Sequence, residues 1–407
     1  MKPTRTKFTV LRQVVTIIPK NIVGRLAKEY GVDQKSRSFS PWSHVVSMMF
    51  AQVSHALSLN DVCDTMRNHN GVLGTLRGAT APSRNGLAHA NKTRNSDMAE
   101  ALFYGVLNHL KGQSPEFGFE HKSQGVPRRF KRMIHIVDST TIQLILNCMD
   151  WAKHRRRKAA AKCHMRLDLQ TFLPSFAIVK EASTHDAVDA PSLCKDIKAG
   201  EIVIFDKAYI DFRHLYALER RDVFWVTRAK ENLQCSVVST LSKSTDTVLS
   251  DQEIKLISLG GQEDYPVTFR LVKALVEVDG QLREMTFMTN NKSWAPSSIC
   301  DLYKARWSIE VFFKQLKQTL QLSDFLGYSK HAVRWQIWMA LLTYLILRFI
   351  SFQSKWKGSF ARLFTIIRGV LWEALSVSSI LAYCGTASDP PRIVAAPYQA
   401  YLPGFDF

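Results

Sequence analysis

The sequence predicts a mixed α/β fold with helices before and after the sheet. Three observations lead there. Two apolar runs, "RMIHIVDSTTIQLIL" and "EIVIFDKAYID", each carry an aspartate where the run ends. Helical periodicity covers residues 7–112 and returns after residue 300, and a Ser/Thr/Val-rich stretch near 231–290 has strand character. With 407 residues, 46% of them hydrophobic, the chain can bury a large core, and its length suggests two or three domains.

In chain order, residues 1–112 read as a helical N-terminal domain. "SFSPWSHVVSMMFAQVSHAL" opens on Ser-Pro and repeats apolar residues at three and four, and "SLNDVCDTMRNH" begins at a capping Ser58. A helix near "APSRNGLAHANKTR", capped by Ser83, presents Arg84, Asn85, His89, Asn91, Lys92 and Arg94 as donors to base edges and phosphates. This suits a recognition helix, and it also suits an ordinary exposed helix. Gln113–Gly125 reads as a polar linker.

Residues 126–352 then give three strands, a helix, a strand, a helix and a strand: "RMIHIVDSTTIQLIL", "KCHMRLDLQ", "TFLPSFAIVK", "DAPSLCKDI", "EIVIFDKAYID", "FRHLYALERRD" and "VFWVTRAK". A β-rich insertion at about 231–290 contains a hairpin around Asp279-Gly280. Apolar helices follow Asp324. Residues 353–407 read as a C-terminal helical and irregular region, with four prolines near its end.

The formal charge is +19 and the pI near 9.7. The excess is clustered at Arg128, Arg129, Lys131 and Arg132, and at Lys153, Arg155, Arg156, Arg157, Lys158 and Lys162. Such a field favours a polyanion, nucleic acid first and an anionic membrane surface second, because each neutralised phosphate releases condensed counterions. The seven cysteines form no CxxC pair and no zinc-ligand spacing, which suggests reduced thiols in a cytoplasm. No signal peptide is read at the N-terminus. Ile337–Leu347 is too short to span a bilayer and reads as a buried helix.

The chemistry points to carboxylates. Asp138 after "IHIV" and Asp206 after "IVIF" end apolar strands, where a buried charge needs a cation. Either one alone is explained by capping the next turn. If their strands are neighbours the two converge, and a glutamate from a later helix completes a cluster. Three carboxylates repel one another unless a hard cation such as Mg2+ sits among them, and two such ions suit in-line phosphoryl displacement. Asp168, Asp186 and Asp211 end no long apolar strand, and His135 and His164 read as strand or supporting residues.

The glutamate is on "LYKARWSIEVFFKQLKQ". At about 100° per residue, Tyr303, Glu310 and Lys317 fall within an arc of roughly 40°, flanked by Arg306 and Lys314. Facing a cleft, this stripe would hold a phosphodiester with Arg306 and Lys317, with Tyr303 beside it. A solvated face with an ordinary Arg306–Glu310 pair is the alternative.

Tyr303, Arg306, Glu310 and Lys317 have the spacing Y-(2)-R-(3)-E-(6)-K, which resembles the signature of the insertion-sequence-four family of transposases. "VDSTTI" and "FDKAYID" look like that family's two aspartate motifs. The second is usually Asp-Arg-Gly-Tyr and is Asp206-Lys207-Ala208-Tyr209 here, so Ala208 would strain a turn that required positive φ. "SFSPWSHVVSMMFAQVSHALSLNDV" and "LAHANKTR" look like its N-terminal DNA-binding region.

The resemblance implies an RNase H-like catalytic core with Asp138, Asp206 and Glu310 as catalytic and metal-holding acids. It implies two Mg2+ ions, for which Mn2+ can substitute. DNA contacts would come from Tyr303, Arg306, Lys314, Lys317, Arg84, Asn85, Lys92 and Arg94. The implied reaction is cut-and-paste transposition through a hairpin intermediate, with a dimer on double-stranded DNA that binds terminal inverted repeats and target. It implies a cytoplasmic protein associated with the nucleoid when bound, and no membrane partner. An aromatic that holds a flipped base is often found in the insertion; Trp225 and Trp294 are candidates, although core packing is the better reading of Trp225 and neither is counted as a site. A non-catalytic remnant, a nuclease that does not transpose and a membrane-surface protein are the competing readings.

Overall fold

The structure, a computed structural model, describes residues 2–34, 39–118, 126–144, 153–155, 158–181, 186–278, 280–320, 322 and 325–384. Outside them lie residues 119–125 of the expected linker, Arg156 and Arg157 of the basic run, Cys148, Asp279 of the hairpin turn, and the C-terminal tail from 385.

The strands are β1 (Ile134–Leu144), β2 (Lys153–Arg155), β3 (Lys158–Asp168), β4 (Leu173–Glu181), β5 (Ile202–Phe205), β6 (Phe224–Arg228), β7 (Cys235–Thr240), β8 (Val248–Leu256), β9 (Phe269–Val278) and β10 (Gln281–Thr289). They form one sheet in the order β2-β3-β1-β5-β6-β10-β9-β8-β7, with β4 also on β3. β1 and β5 are parallel, as are β5 and β6, while β3 and β4 add antiparallel neighbours. This is the mixed, RNase H-like sheet. β10 pairs antiparallel with β6, so the insertion strands extend the same sheet.

The central strands are covered on both faces, and this is why "IVIF" is apolar throughout and fully buried. Side chains alternate between two cores. Ile134, Ile136, Ile202, Ile204 and Val226 enter one, and Val137, Val203, Phe205 and Trp225 the other. The first core is shared with the N-terminal helices, including Pro41–Ser54 and Asp97–Gln113, and with the helix Lys330–Gln353. The second is closed by the helix Phe212–Glu219 and by Tyr265.

The Ile337–Leu347 segment proves to be the middle of that helix of 24 residues, which continues through Arg348. By length and composition it could cross a membrane, yet 89% of its most apolar window is buried inside the protein. Sequence caps hold as expected: Ser40, Ser58 and Ser83 each accept the backbone N–H three residues on.

Candidate active site

Sheet register brings the two aspartates to one level. The β1–β5 pairing ends at Val137 opposite Phe205, so Asp138 and Asp206 are the next residue on each strand. By alternation they share the face of Ile136 and Ile204, the face on which Ile309 and Phe312 pack. Asp138 is not at a strand end, as the sequence suggested, because β1 continues to Leu144 against β3. The ending belongs to the shorter neighbour, β5. The Ser139 N–H donates to Asp138 Oδ1 at 2.7 Å, and the Ala208 N–H to Asp206 Oδ2 at 3.4 Å. Ala208 is not among the positive-φ residues, so the turn tolerates alanine where the family pattern has glycine.

The expected single helix over 302–318 is instead three pieces. Pro296–Lys304 and Trp307–Lys314 are α-helical and Gln315–Thr319 is a π turn. Tight i→i−3 bonds from Arg306 to Tyr303 and from Ser308 to Ala305 make the first break. Arg306 therefore sits at a bend and not on a helix face. Its Nη1 donates to Asp138 Oδ2 at 2.6 Å and its Nη2 to Glu310 Oε1 at 2.8 Å. The Tyr303 hydroxyl donates to Asp206 Oδ1 at 3.5 Å. Lys317 is half-buried in the π turn and Lys314 is exposed.

Electrostatics follow from enclosure. Burial pushes the Asp138 carboxyl up to about 6 even though Arg306 and the Ser139 N–H hold it down, and Asp206 and Glu310 add to the push. Burial likewise raises the Tyr303 phenol to about 12 against the pull of Arg306. Burial works to lower the Arg306 guanidinium, but Asp138, Tyr303 and Asp206 carry it above its ordinary value. The Lys317 ammonium is lowered by burial.

Among the described residues, no three His, Cys, Asp or Glu side chains close around a metal position. A cation already occupies the middle: the guanidinium takes one oxygen from Asp138 and one from Glu310, and its buried Nε has no hydrogen-bond partner among the described residues. Oxygen donors that gather one positive charge fit a hard divalent ion once Arg306 is drawn elsewhere.

A cavity of about 380 Å³ adjoins the acids. Asp206, Arg228, Tyr303, Lys304, Arg306 and Trp307 line it, opposite Val276, Glu277, Met285 and Phe287 of the β9–β10 hairpin. Trp307 is 47% exposed there, and Arg306 lies over its ring at 5.7 Å. Trp307 is not among the site residues expected from the sequence. The signal was its position directly after Arg306, at the bend. The two candidate tryptophans pack elsewhere: Trp225 is fully buried, and the half-buried Trp294 meets Phe130 edge-on and lies tilted against Phe224.

The N-terminal candidates divide. Arg84, Asn85 and Lys92 are exposed on the helix Arg84–Thr93. Arg94 is turned inward, donating to the Phe39 and Ser40 carbonyls with Phe39 under its guanidinium, and burial brings it down to about 10. Asn91 is buried against His44. The rival aspartates have local partners. Asp168 accepts from the Gln170 and Thr171 N–H groups, Asp211 caps the next helix through the His214 N–H, and Asp186 pairs with Lys162.

An RNase H-like sheet with two aspartates side by side, overlaid by a helix that brings an arginine and a glutamate, defines an enzyme class that acts on nucleic-acid phosphodiesters. Residues 129–346, more than half of the chain, match the family described as Transposase DDE domain, and the chain belongs to it. It is therefore a DDE transposase, an enzyme of DNA transposition that binds DNA and depends on a divalent metal ion.

Residues 6–76 match a second family, a domain of unknown function (DUF4372). A Sinorhizobium fredii protein named as transposase y4zB is 28% identical over 305 residues, 74% of this chain and 80% of that one. A Geobacillus stearothermophilus protein named as the transposase of insertion sequence element IS5377 is 26% identical over 56% of this chain and 59% of its own length. A Synechocystis protein named for element IS4SA is 22% identical over 45% and 51%. Among solved structures, a cryo-EM synaptic complex of the piggyBac transposase with hairpin DNA has a TM-score of 0.47 at 11% identity, covering 96% of this chain and 85% of that one.

Proposed function

We propose that the chain is a transposase of the insertion-sequence-four type, which excises and inserts its element through a hairpin intermediate. Asp138, Asp206 and Glu310 serve as the acids. The observation that carries this reading is the reach of one short segment: Tyr303 touches Asp206 while Arg306 touches both Asp138 and Glu310. Three of the four residues of the Y-R-E-K spacing, Tyr303, Arg306 and Glu310, are thus linked to the two aspartates.

The three carboxylates would hold two Mg2+ ions, which when bound activate the attacking oxygen and stabilise the leaving one. Arg306, drawn from the acids by a phosphate, holds the scissile phosphodiester bidentately, with Lys317 and Lys314 along the same strand. Tyr303 orients Asp206. Hydrolysis of one strand frees a 3′-hydroxyl. That hydroxyl displaces the flanking strand to close a hairpin, a second hydrolysis reopens it, and the restored hydroxyl attacks target DNA. Hairpin closure strains the terminal bases. The cavity beside Trp307 would receive one of them by stacking.

Residues 1–112 would bind the terminal repeats through Arg84, Asn85 and Lys92. Two chains would pair to hold two ends, with residues 126–352 as the catalytic unit. The test is cleavage of a labelled duplex carrying the element's own end, in Mg2+ and in Ca2+, by wild type and by Asp138→Ala, Asp206→Ala and Glu310→Ala. Nicking and hairpin formation by wild type alone, with end binding kept in all four proteins, is expected. Cutting that survives Asp206→Ala would show that the second acid is another residue.

A further inference from the structure

The helical segment that carries Glu310 and Lys317 ends against residues 6–76, the stretch that matches the family of unknown function. Lys317 lies in the π turn Gln315–Thr319, which the Leu320 N–H closes by donating to the Gln315 carbonyl at 3.1 Å. A π turn is rare and wider than an α-helical one, so residues within it leave the rotation set by the helix before it. The place of Lys317 therefore depends on what holds this turn in its π form.

The last carbonyls of a helical segment have no partner within it and must find one outside. Here two of them find it at the end of the helix Pro41–Ser54, whose C-cap is His55. The Thr319 carbonyl accepts from His55 Nε2 at 2.8 Å, and the Leu320 carbonyl accepts from the side-chain amide of the buried Gln52.

His55 is fixed from its other side as well. The Arg368 guanidinium can only donate and stands 2.8 Å from His55 Nδ1, so Nδ1 accepts and Nε2 carries the proton offered to Thr319. Phe364, on the same helix Phe360–Gly369 as Arg368, stacks on the imidazole at 4.8 Å. The backbone adds a second observation. His55 ends its helix at φ 58°, a left-handed conformation that helix ends ordinarily give to glycine or asparagine. An imidazole kept at such a position and bonded at both nitrogens has a task for the ring.

We propose that His55, supported by Gln52, is a positioning residue for Lys317: by holding the Thr319 carbonyl it sets the π turn from which that lysine reaches the DNA backbone. His55 acts through Lys317, so its role rests on the reading of Lys317 as a phosphate contact. The N-terminal region thereby has a second task besides end binding, because it completes the segment that grips the strand to be cut.

The test measures binding of the full chain to a labelled duplex carrying the element's own end over a salt series, with melting of the free protein in parallel. His55→Asn suits the left-handed backbone and keeps an acceptor near Nδ1 for Arg368, but it removes the donor at Nε2. His55→Gln keeps a donor at the reach of Nε2. Lys317→Ala is expected to reduce the slope of log affinity against log salt by about 0.9, one phosphate contact. His55→Asn should lose the same amount while melting close to wild type, and the double variant should lose no more than either single one. His55→Gln should keep the wild-type slope. A wild-type slope in His55→Asn beside the loss in Lys317→Ala overturns the tie alone. Losses that add in the double variant, or a loss in His55→Gln equal to that in His55→Asn, do the same. A wild-type slope in Lys317→Ala overturns the phosphate contact and the tie with it. If His55→Asn does not fold, Gln52→Leu, which withdraws the donor to the Leu320 carbonyl, decides by the same slope.

Discussion

Arg306 stands 2.6 Å from Asp138 and 2.8 Å from Glu310, so one guanidinium neutralises two acids that come from different parts of the chain. In the same pose it competes with any metal ion for their oxygens. Metal and DNA should therefore bind cooperatively, because a phosphate that attracts Arg306 frees the carboxylates. Arg306→Gln is expected to bind Mn2+ several-fold more tightly than wild type in the absence of DNA, measured by calorimetry, while losing cleavage. An affinity that stays level or falls would mean that the arginine organises the acids and does not block them.

Trp307 is half-exposed at the mouth of the cavity, so its removal should cost the fold little. Surface substitutions usually change stability by about ±0.5 kcal/mol, whereas loss of a base–aromatic stack costs about 1–3 kcal/mol. Trp307→Ala should accordingly melt like wild type, nick at a normal rate and form hairpins roughly 5- to 100-fold more slowly. Gel assays that separate nicked from hairpin product, with 2-aminopurine near the end as a stacking probe, read both steps.

Trp225 gives the opposite outcome. It is fully buried among Tyr265 and Phe269, and truncating such a side chain leaves a cavity. Trp225→Ala should lower stability by about 3–5 kcal/mol in a denaturant titration.

On the N-terminal helix, Arg84→Ala and Lys92→Ala should each reduce the salt dependence of end binding by about one phosphate contact. Arg94→Ala should instead lower the melting temperature, because its guanidinium satisfies the Phe39 and Ser40 carbonyls. A mobility-shift series in salt, set against melting curves, distinguishes the two behaviours.

His44 supplies a pH signature. Burial first, then Arg94, lower its imidazole to about 3, although the bond to Asn91 opposes them. The unfolded chain therefore takes up a proton near pH 6.5 that the folded chain refuses. Stability from a neutral His44 is complete above pH 6.5 and falls as pH drops toward 3, with a slope of up to about 1.4 kcal/mol per pH unit. His214, lowered to about 4 by burial, adds in the same direction. Melting between pH 7 and pH 5 should show the loss, and His44→Gln should flatten it while lowering stability at pH 7.

The sequence by itself pointed to the strands of the central sheet and singled out Asp138, Asp206 and Glu310 as candidate acids. Short apolar runs rich in β-branched residues, such as "IVIF", fit strands covered on both faces, and a carboxylate at the end of such a run needs a reason. The spacing of Tyr303, Arg306, Glu310 and Lys317 is local, so it could be read without knowing the fold. Caps at Ser40, Ser58 and Ser83 depend on three-residue geometry and were legible for the same reason.

Only the tertiary structure decided which side chains meet. β1 runs past Asp138 because β3 supports it there, whereas β5 stops, a difference in neighbours and not in composition. The break at Arg306 is made by i→i−3 bonds, and the guanidinium adds to its i,i+4 pair with Glu310 a bond to Asp138 that joins helix and strand. Arg94 lost its expected exposure because the Phe39 and Ser40 carbonyls, more than 50 positions away in the chain, take up its guanidinium. The Tyr209 hydroxyl meets His164, 45 positions away in the chain, and no local pattern could have announced that contact.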